Sequence, residues 1–259
     1  MAAVLNPRSV LVTGSNRGIG FELVRQLVGK SSRPEWIFAT CRDPEGPRAQ
    51  ELKTLAAKHQ GVVIIPLNAL DPSSIKAAVA RVNEKLKGAG LNLLINNAGI
   101  LRITTLESET PEDMAEVYQT NVTGAMLVSQ AFLPLLRKAS QKSPQKGMSC
   151  SKAAIVNVSS EGGSIRNMGT NTVPWCISYC CSKAALNMLT RCQSLGFAED
   201  EILCVALHPG WVQTDMGNAA GPAPLTVEVS VQETISTLAR LTEKDNGTFV
   251  SWEGKAVPW

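Results

Sequence analysis

The run Ser9-Val10-Leu11-Val12-Thr13 breaks into Gly14-Ser15-Asn16-Arg17-Gly18-Ile19-Gly20, and a helical pattern follows with Phe21, Leu23, Val24, Leu27 and Val28 on its apolar side. A β-rich run, a glycine-rich turn and a helix in that order bring a helix N-terminus to the end of a strand. Main-chain N–H groups gathered there, together with the helix dipole, favour a pyrophosphate. The glycines serve tight turning, close approach of backbone to phosphate and close helix-to-strand contact. The spacing is T-G-x-x-x-G-x-G. A merely structural glycine loop is the bland alternative, and the strand-and-helix setting favours nucleotide binding over it.

The same alternation continues along the chain. Trp36 to Cys41 reads as a second strand, 46 to 59 as a helix, Val62 to Pro66 as a third strand and Pro72 to Lys87 as a helix. Leu91 to Ile95 is a fourth strand that ends in Asn96-Asn97-Ala98-Gly99. From Pro111 to Lys138 one long helical pattern runs through Met114, Val117, Tyr118, Val122, Met126, Leu127 and Phe132. Pro134 is expected to kink that helix or end it early. Ser140 to Lys152 is polar, holds Pro144 and Gly147, and reads as a flexible connection. Ala154 to Val158 is a fifth strand, followed by a helix through Ala184, Leu186, Met188 and Leu189. A strand at Ile202 to Leu207, a helix around 226 to 242 and a short strand near Thr248 to Val250 complete the series. Strands alternating with helices predict an α/β fold, a doubly wound parallel sheet with helices on both faces. No repeat or linker divides residues 1–259, so a single domain is the simplest organisation.

Composition narrows the function classes. With 44% apolar and 18% charged residues the chain has a core to bury. A net charge of +3 is too mild to argue for nucleic acid, and no dense basic stripe interleaves with aromatics. No uncharged apolar stretch is long enough to span a bilayer, and the run after Met1 is broken at Asn6-Pro7-Arg8, against a signal peptide. Seven cysteines, without a C-x-x-C pair, read as reduced thiols of a cytoplasmic protein. Only His59 and His208 could join them at a metal, and neither stands at ligand spacing, so no metal site is expected.

Two local patterns carry chemistry. At the end of the second strand an Asp or Glu would accept hydrogen bonds from the ribose hydroxyls of NAD(H). This chain has Thr40-Cys41-Arg42 instead, with Asp43 one step later. Arg42, with Arg17 of the glycine turn, could bracket a 2′-phosphate, which favours NADP(H) over two arginines that are only solvated. The second pattern is Tyr179-Cys180-Cys181-Ser182-Lys183. On a helix these two side chains lie one turn apart on one face. An ammonium beside a phenol stabilises the phenolate and lowers its pKa from about 10 toward neutral, fitting it for proton transfer.

Thr13-Gly14-x-x-x-Gly18-x-Gly20, Asn96-Asn97-Ala98-Gly99, Asn121, Ser159-Ser160, Tyr179-x-x-x-Lys183 and Pro209-Gly210 occur in one fixed order. Over essentially its whole length the chain therefore resembles the short-chain dehydrogenase/reductase family. Asn16 to Gly20, His208 to Met216 and the segment from Gly254 to Pro258-Trp259 look like the sniffer-type carbonyl reductases and the related C-factor proteins. The resemblance implies a Rossmann-type sheet of about seven parallel strands and NADPH-dependent reduction of aldehyde, ketone or quinone carbonyls. It implies a tetrad in which Tyr179 donates the proton and Lys183 lowers the tyrosine pKa and binds the nicotinamide ribose. Asn121 would hold a water linking Lys183 to solvent, and Ser160, chosen over Ser159, would polarise the carbonyl. Around the cofactor it implies Gly14, Asn16, Arg17, Gly18, Ile19 and Gly20, then Arg42 and Asn68. Asn96, Ala98 and Gly99 would line the adenosine side, and Pro209, Gly210, Val212 and Thr214 the nicotinamide side, where Thr214 meets the carboxamide. A homodimer through the 111–138 and Tyr179 helices is a further implication. An NADP(H)-binding signalling or regulatory protein of C-factor type is the rival reading. A dehydratase or epimerase of the extended branch fits poorly, because T-G-x-x-G-x-x-G and a longer C-terminal domain are both missing.

Two departures stand out. The family's usual Asp after the third strand is Asn68, which can still hydrogen-bond adenine. Tyr179 follows Ser160 by 19 positions, longer than the family norm, with Gly162, Gly163, Gly169 and Pro174 in between. This loop is expected to wall the substrate pocket, and Trp175 and Ile165 either face substrate or pack the loop down. Asp215 to Leu225 reads as a small mobile lid. His208 reads as structural.

Overall fold

The computed structural model describes residues 3–169 and 176–259. β1 (Ser9–Thr13) leads through the glycine turn into α1 (Gly18–Gly29), followed by β2 (Trp36–Cys41), α2 (Gln50–Lys58), β3 (Val62–Pro66) and α3 (Pro72–Leu86). β4 (Leu93–Asn96) then precedes α4 (Pro111–Tyr118) and α5 (Gly124–Lys142), joined by a π-helical turn at Gln119–Thr123. After β5 (Ala154–Val158) come α6 (Ile177–Gly196), β6 (Leu203–His208), the short α7 (Asp215–Ala219), α8 (Val227–Arg240) and β7 (Phe249–Ser251). Every strand pair is parallel, in the order β3-β2-β1-β4-β5-β6-β7. This is the Rossmann-type α/β fold.

Strand alternation explains the two layers of core. Val10 and Val12 of β1 point to one face, with Ile37, Leu93, Ile95, Val156 and Val205, where α1 and α8 cover them through Leu23, Leu27, Ile235 and Leu238. Leu11 points to the other, with Phe38, Leu94 and Ile155, under Ala78 and Val82 of α3 and Phe132 and Leu136 of α5. The Phe38 and Phe132 side chains are fully buried, each contributing about 2–3 kcal/mol. Asn157 faces the same side as Ile155, and its Nδ2 donates to Thr190 Oγ1 and Gln193 Oε1 at 2.8 Å, fastening α6 to β5.

Element boundaries differ from the sequence reading where packing overrides local signals. The single helix expected over 111–138 is three pieces, α4, the π turn and α5. Pro134 neither ends nor shortens α5, which runs to Lys142. Buried Phe132, Leu135, Leu136 and Ala139 on both sides of it hold the helix together despite the lost N–H bond. The connection 143–152 is also tied down. Cys150 is buried, and the buried Lys152 ammonium meets Glu201 at 2.5 Å.

The order reverses between β1 and β4. Such a switch point opens a crevice outside the carboxyl ends of the strands, where open α/β sheets bind their ligands.

Candidate active site

That edge gathers the residues singled out by the sequence. Gly14 follows β1, Arg42 follows β2, Ala98 and Gly99 follow β4, Ser160 follows β5, and Pro209-Gly210 follows β6. At the glycine turn, Gly20 is packed so closely that a Cβ on it would stand 2.2 Å from the Gly14 carbonyl oxygen and 2.6 Å from Asn97 Nδ2. Asn97 pins the turn, donating from Nδ2 to the carbonyls of Thr13 (2.9 Å) and Gly14 (3.2 Å). The main-chain N–H groups of Asn97 and Ala98 both donate to Thr13 Oγ1 at 3.0 Å. Arg17 stands at the N-cap of α1 and gives no side-chain cap. The first-turn N–H groups are thereby left for a ligand, and an anion such as a dinucleotide pyrophosphate fits that donor set.

Arg17 is exposed and pairs with Asp215 at 2.5 Å. Arg42 is exposed and makes no ion pair among the described residues. Thr214 caps α7 by accepting from the Gly217 N–H (3.1 Å), and its Cγ2 would lie 3.3 Å from a Cβ on Gly18. The segment after β6 thus reaches across to the glycine turn. Asn16 and Ile19 are half-buried in that turn, and Val212 is buried in a bridge to Leu225. The exposed Asn68 accepts through Oδ1 from the Leu70 N–H. The Asn96 side chain does not line the edge as expected. It is buried, donating to Ser129 Oγ of α5 and Asn157 Oδ1 of β5 at 2.9 Å, because its place in the strand turns it to the α5 face of the sheet.

The proton-transfer group assembles where β5, α6 and the π turn meet. Ser159 is buried and occupied, with Oγ and Asn187 Oδ1 2.6 Å apart. Ser160 is the serine hydrogen-bonded with the Tyr179 phenol, and its Oγ accepts from the Gly162 N–H at 3.1 Å. Lys183 is buried, donates from Nζ to the Val158 carbonyl at 2.7 Å and lies 5.4 Å from the centre of the Tyr179 ring. Gly99 adjoins both remaining members, since a Cβ there would stand 3.1 Å from Asn121 Oδ1 and 3.8 Å from Lys183 Nζ. Trp175 lies outside the described residues. Ile165 is exposed.

Two expectations about this group change. Burial pushes the Tyr179 phenol up to about 12, and the hydrogen bond to Ser160 only partly opposes it. Lys183 itself is pushed down by burial to about 8. The expected lowering toward neutral is therefore absent in this geometry, where desolvation of the phenolate is the largest influence and Ser160 opposes it only in part. Asn121, too, commits its side chain elsewhere. Oδ1 accepts from the Ile100 N–H (2.8 Å), while Nδ2 donates to the Ile100 carbonyl and Ser182 Oγ (both 3.0 Å). With both amide hydrogens used, Asn121 joins the β4 edge to α6, and a water could be met only by the second lone pair of Oδ1 or by the main chain of the π turn.

A strand-turn-helix anion site and a Ser-Tyr-Lys group, with Ser160 and Tyr179 half-buried above a buried Lys183, define a dinucleotide oxidoreductase architecture on one sheet edge, and the comparisons agree. The sequence profile of the short chain dehydrogenases matches residues 8–224, and the chain belongs to that family. It is similar to the NADPH-bound carbonyl reductase from chicken fatty liver, with 57% identity, 98% of this chain and 100% of that one covered, and a TM-score of 0.92. The carbonyl reductase Sniffer of Drosophila melanogaster is 37% identical, with the same coverage and TM-score. C-signal of Myxococcus xanthus is 34% identical over 171 residues, 65% of this chain and 93% of that protein.

Sequence reading missed the parts played by Asn97, Asn187 and Glu161, whose partners lie far away in the chain. Asn97 carried a local signal, as the second residue of its Asn-Asn-Ala-Gly motif, and His208, read as structural, heads the His208 to Met216 segment.

Proposed function

We propose that the protein is an NADPH-dependent reductase of aldehyde, ketone or quinone carbonyls in which Tyr179 delivers the proton. The observation that carries this reading is the meeting of Ser160, at the end of β5, with Tyr179 and the buried Lys183 of α6, whose Nζ lies 5.4 Å from the tyrosine ring centre. Bound NADPH supplies the hydride. As negative charge grows on the substrate oxygen, the Ser160 and Tyr179 hydroxyls stabilise it and Tyr179 gives up its proton. The tyrosinate left behind faces the Lys183 ammonium. A phenol that stays protonated at neutral pH suits reduction, whereas alcohol oxidation requires the phenolate and gains as pH rises.

On the cofactor side, the turn from Gly14 through Asn16, Arg17, Gly18, Ile19 and Gly20 holds the pyrophosphate, and Arg42 with Arg17 holds the 2′-phosphate. Asn68, Ala98 and Gly99 border the adenosine. Pro209, Gly210, Val212 and Thr214 border the nicotinamide, with Lys183 on its ribose. The similarity to an NADPH-bound carbonyl reductase supports this choice of cofactor. The test is NADPH oxidation by the purified protein with a reactive dicarbonyl such as diacetyl. Tyr179→Phe should lower turnover roughly 10²–10⁴-fold while NADPH still binds; undiminished turnover would sink the mechanism.

Similarity to C-signal supports a second reading, a nicotinamide-binding regulator with little turnover. Tight NADPH binding with no reduction across a carbonyl panel would favour it. Exposed Met114 and Tyr118 on α4 and Met188 and Leu195 on α6 support a homodimer through these helices, which the molar mass from light scattering would check against a monomer's 27.7 kDa.

A further inference from the structure

The ladder between β5 and β6 ends just where Ser160 must be aimed. Its last main-chain bond there runs from the Ser159 N–H to the Leu207 carbonyl at 2.7 Å. In a parallel ladder the next donor would be residue 209, and Pro209 has no N–H. The Pro209 carbonyl, the acceptor after that, is taken by Ser230 Oγ at 2.6 Å. The Glu161 N–H is left without a ladder partner, and a side chain fills the place. His208 Nδ1 accepts it at 3.1 Å. The imidazole is only 15% exposed, and its Nε2 lies 3.8 Å from Glu161 Oε2. Glu161 Oε1 in turn accepts from Asn167 Nδ2 at 3.0 Å.

Resting on the reading of Ser160 given above, we propose that His208 is a positioning residue that orients the Ser160 hydroxyl by holding the Glu161 main chain. Ser160 caps the one-turn 3₁₀ helix Glu161–Gly163, so the direction of its side chain is set by the peptide that follows it. That turn has little freedom on its other side, since a Cβ on Gly163 would stand 2.6 Å from the Lys183 main chain. The His208 imidazole thus sets one side of the Ser160 turn and α6 the other. Accepting through Nδ1 requires the neutral ring. Burial lowers the His208 pKa and favours that form, opposed by the Glu161 carboxylate, the charged group facing it. As the pH falls through the folded-state pKa, the ring gains a proton at the accepting nitrogen and the latch is lost.

The experiment is kcat, KM and NADPH affinity for His208→Asn, His208→Leu, Ser160→Ala and the Ser160→Ala/His208→Leu double variant. An amide oxygen can take the Glu161 N–H, so His208→Asn should keep most of kcat and flatten its acid limb. His208→Leu should lose roughly tenfold in kcat with NADPH affinity unchanged, a cost in the range of a sub-ångström misplacement. The double variant should be no slower than Ser160→Ala alone. Full activity in Ser160→Ala would overturn the catalytic reading itself. With Ser160→Ala slow, the positioning role is overturned by a wild-type kcat in His208→Leu, or by losses that multiply in the double variant. Should His208→Leu not fold, the His208→Asn profile decides, and an unaltered acid limb there overturns the proposal.

Discussion

The two ends of the crevice are built on opposite plans. At the glycine turn the groups that face a ligand belong to the main chain, and side chains such as Thr13 and Asn97 serve only to hold that backbone still. At the Ser160–Tyr179 end the groups that act are side chains, and the backbone beneath them is fixed by other side chains, His208 and Asn187. The first end should therefore be intolerant of added atoms and the second of removed ones, except at Gly163, where the second end too lies against main chain. Substitutions separate the two.

The largest effect is expected at Gly20. Any Cβ there meets the Gly14 carbonyl, so Gly20→Val should cost about 3 kcal/mol or more, read as a collapse of thermal stability and loss of NADPH binding. Gly163→Ala applies the same kind of insult to the other end, against the Lys183 backbone. There kcat should fall at least tenfold, as Ser160 is displaced, with a smaller loss of NADPH affinity through Lys183. Asn187→Ala removes rather than adds. It strips the Gly163 carbonyl of its donor (3.2 Å) and Ser159 Oγ of its partner, and should lower stability by about 2 kcal/mol in urea unfolding. Arg42→Ala should weaken NADPH about tenfold and leave NADH unchanged; equal losses would remove Arg42 from the phosphate site. The smallest effect belongs to Asp215→Asn. Its ion pair with Arg17 is half exposed or more on both sides, so stability should move by less than about 0.5 kcal/mol, with NADPH binding slightly tighter as Arg17 is freed.

The same division explains what the sequence disclosed. Alternating strands and helices, the glycine turn and the Tyr179–Lys183 spacing are local patterns, and each has its counterpart in the structure. The π turn at Asn121, the passage of α5 through Pro134 and the inward turn of Asn96 depend on what packs against them, which no window of sequence contains. His208 and Glu161 stand 47 positions apart, and only the pairing of β5 with β6 brings them together. The direction of the Tyr179 shift was hidden for a related reason. Spacing shows that a lysine is near, while the burial that raises the phenol pKa is a tertiary property.

The central claim, that Tyr179 stays protonated at neutral pH and so can deliver a proton, has a direct test because the chain contains only two tyrosines. Tyrosinate absorbance can be followed with pH in the wild type and in Tyr179→Phe, and the difference belongs to Tyr179. The account expects no tyrosinate from Tyr179 below the ordinary phenol pKa of about 10. A tyrosinate that forms around neutral pH would contradict it.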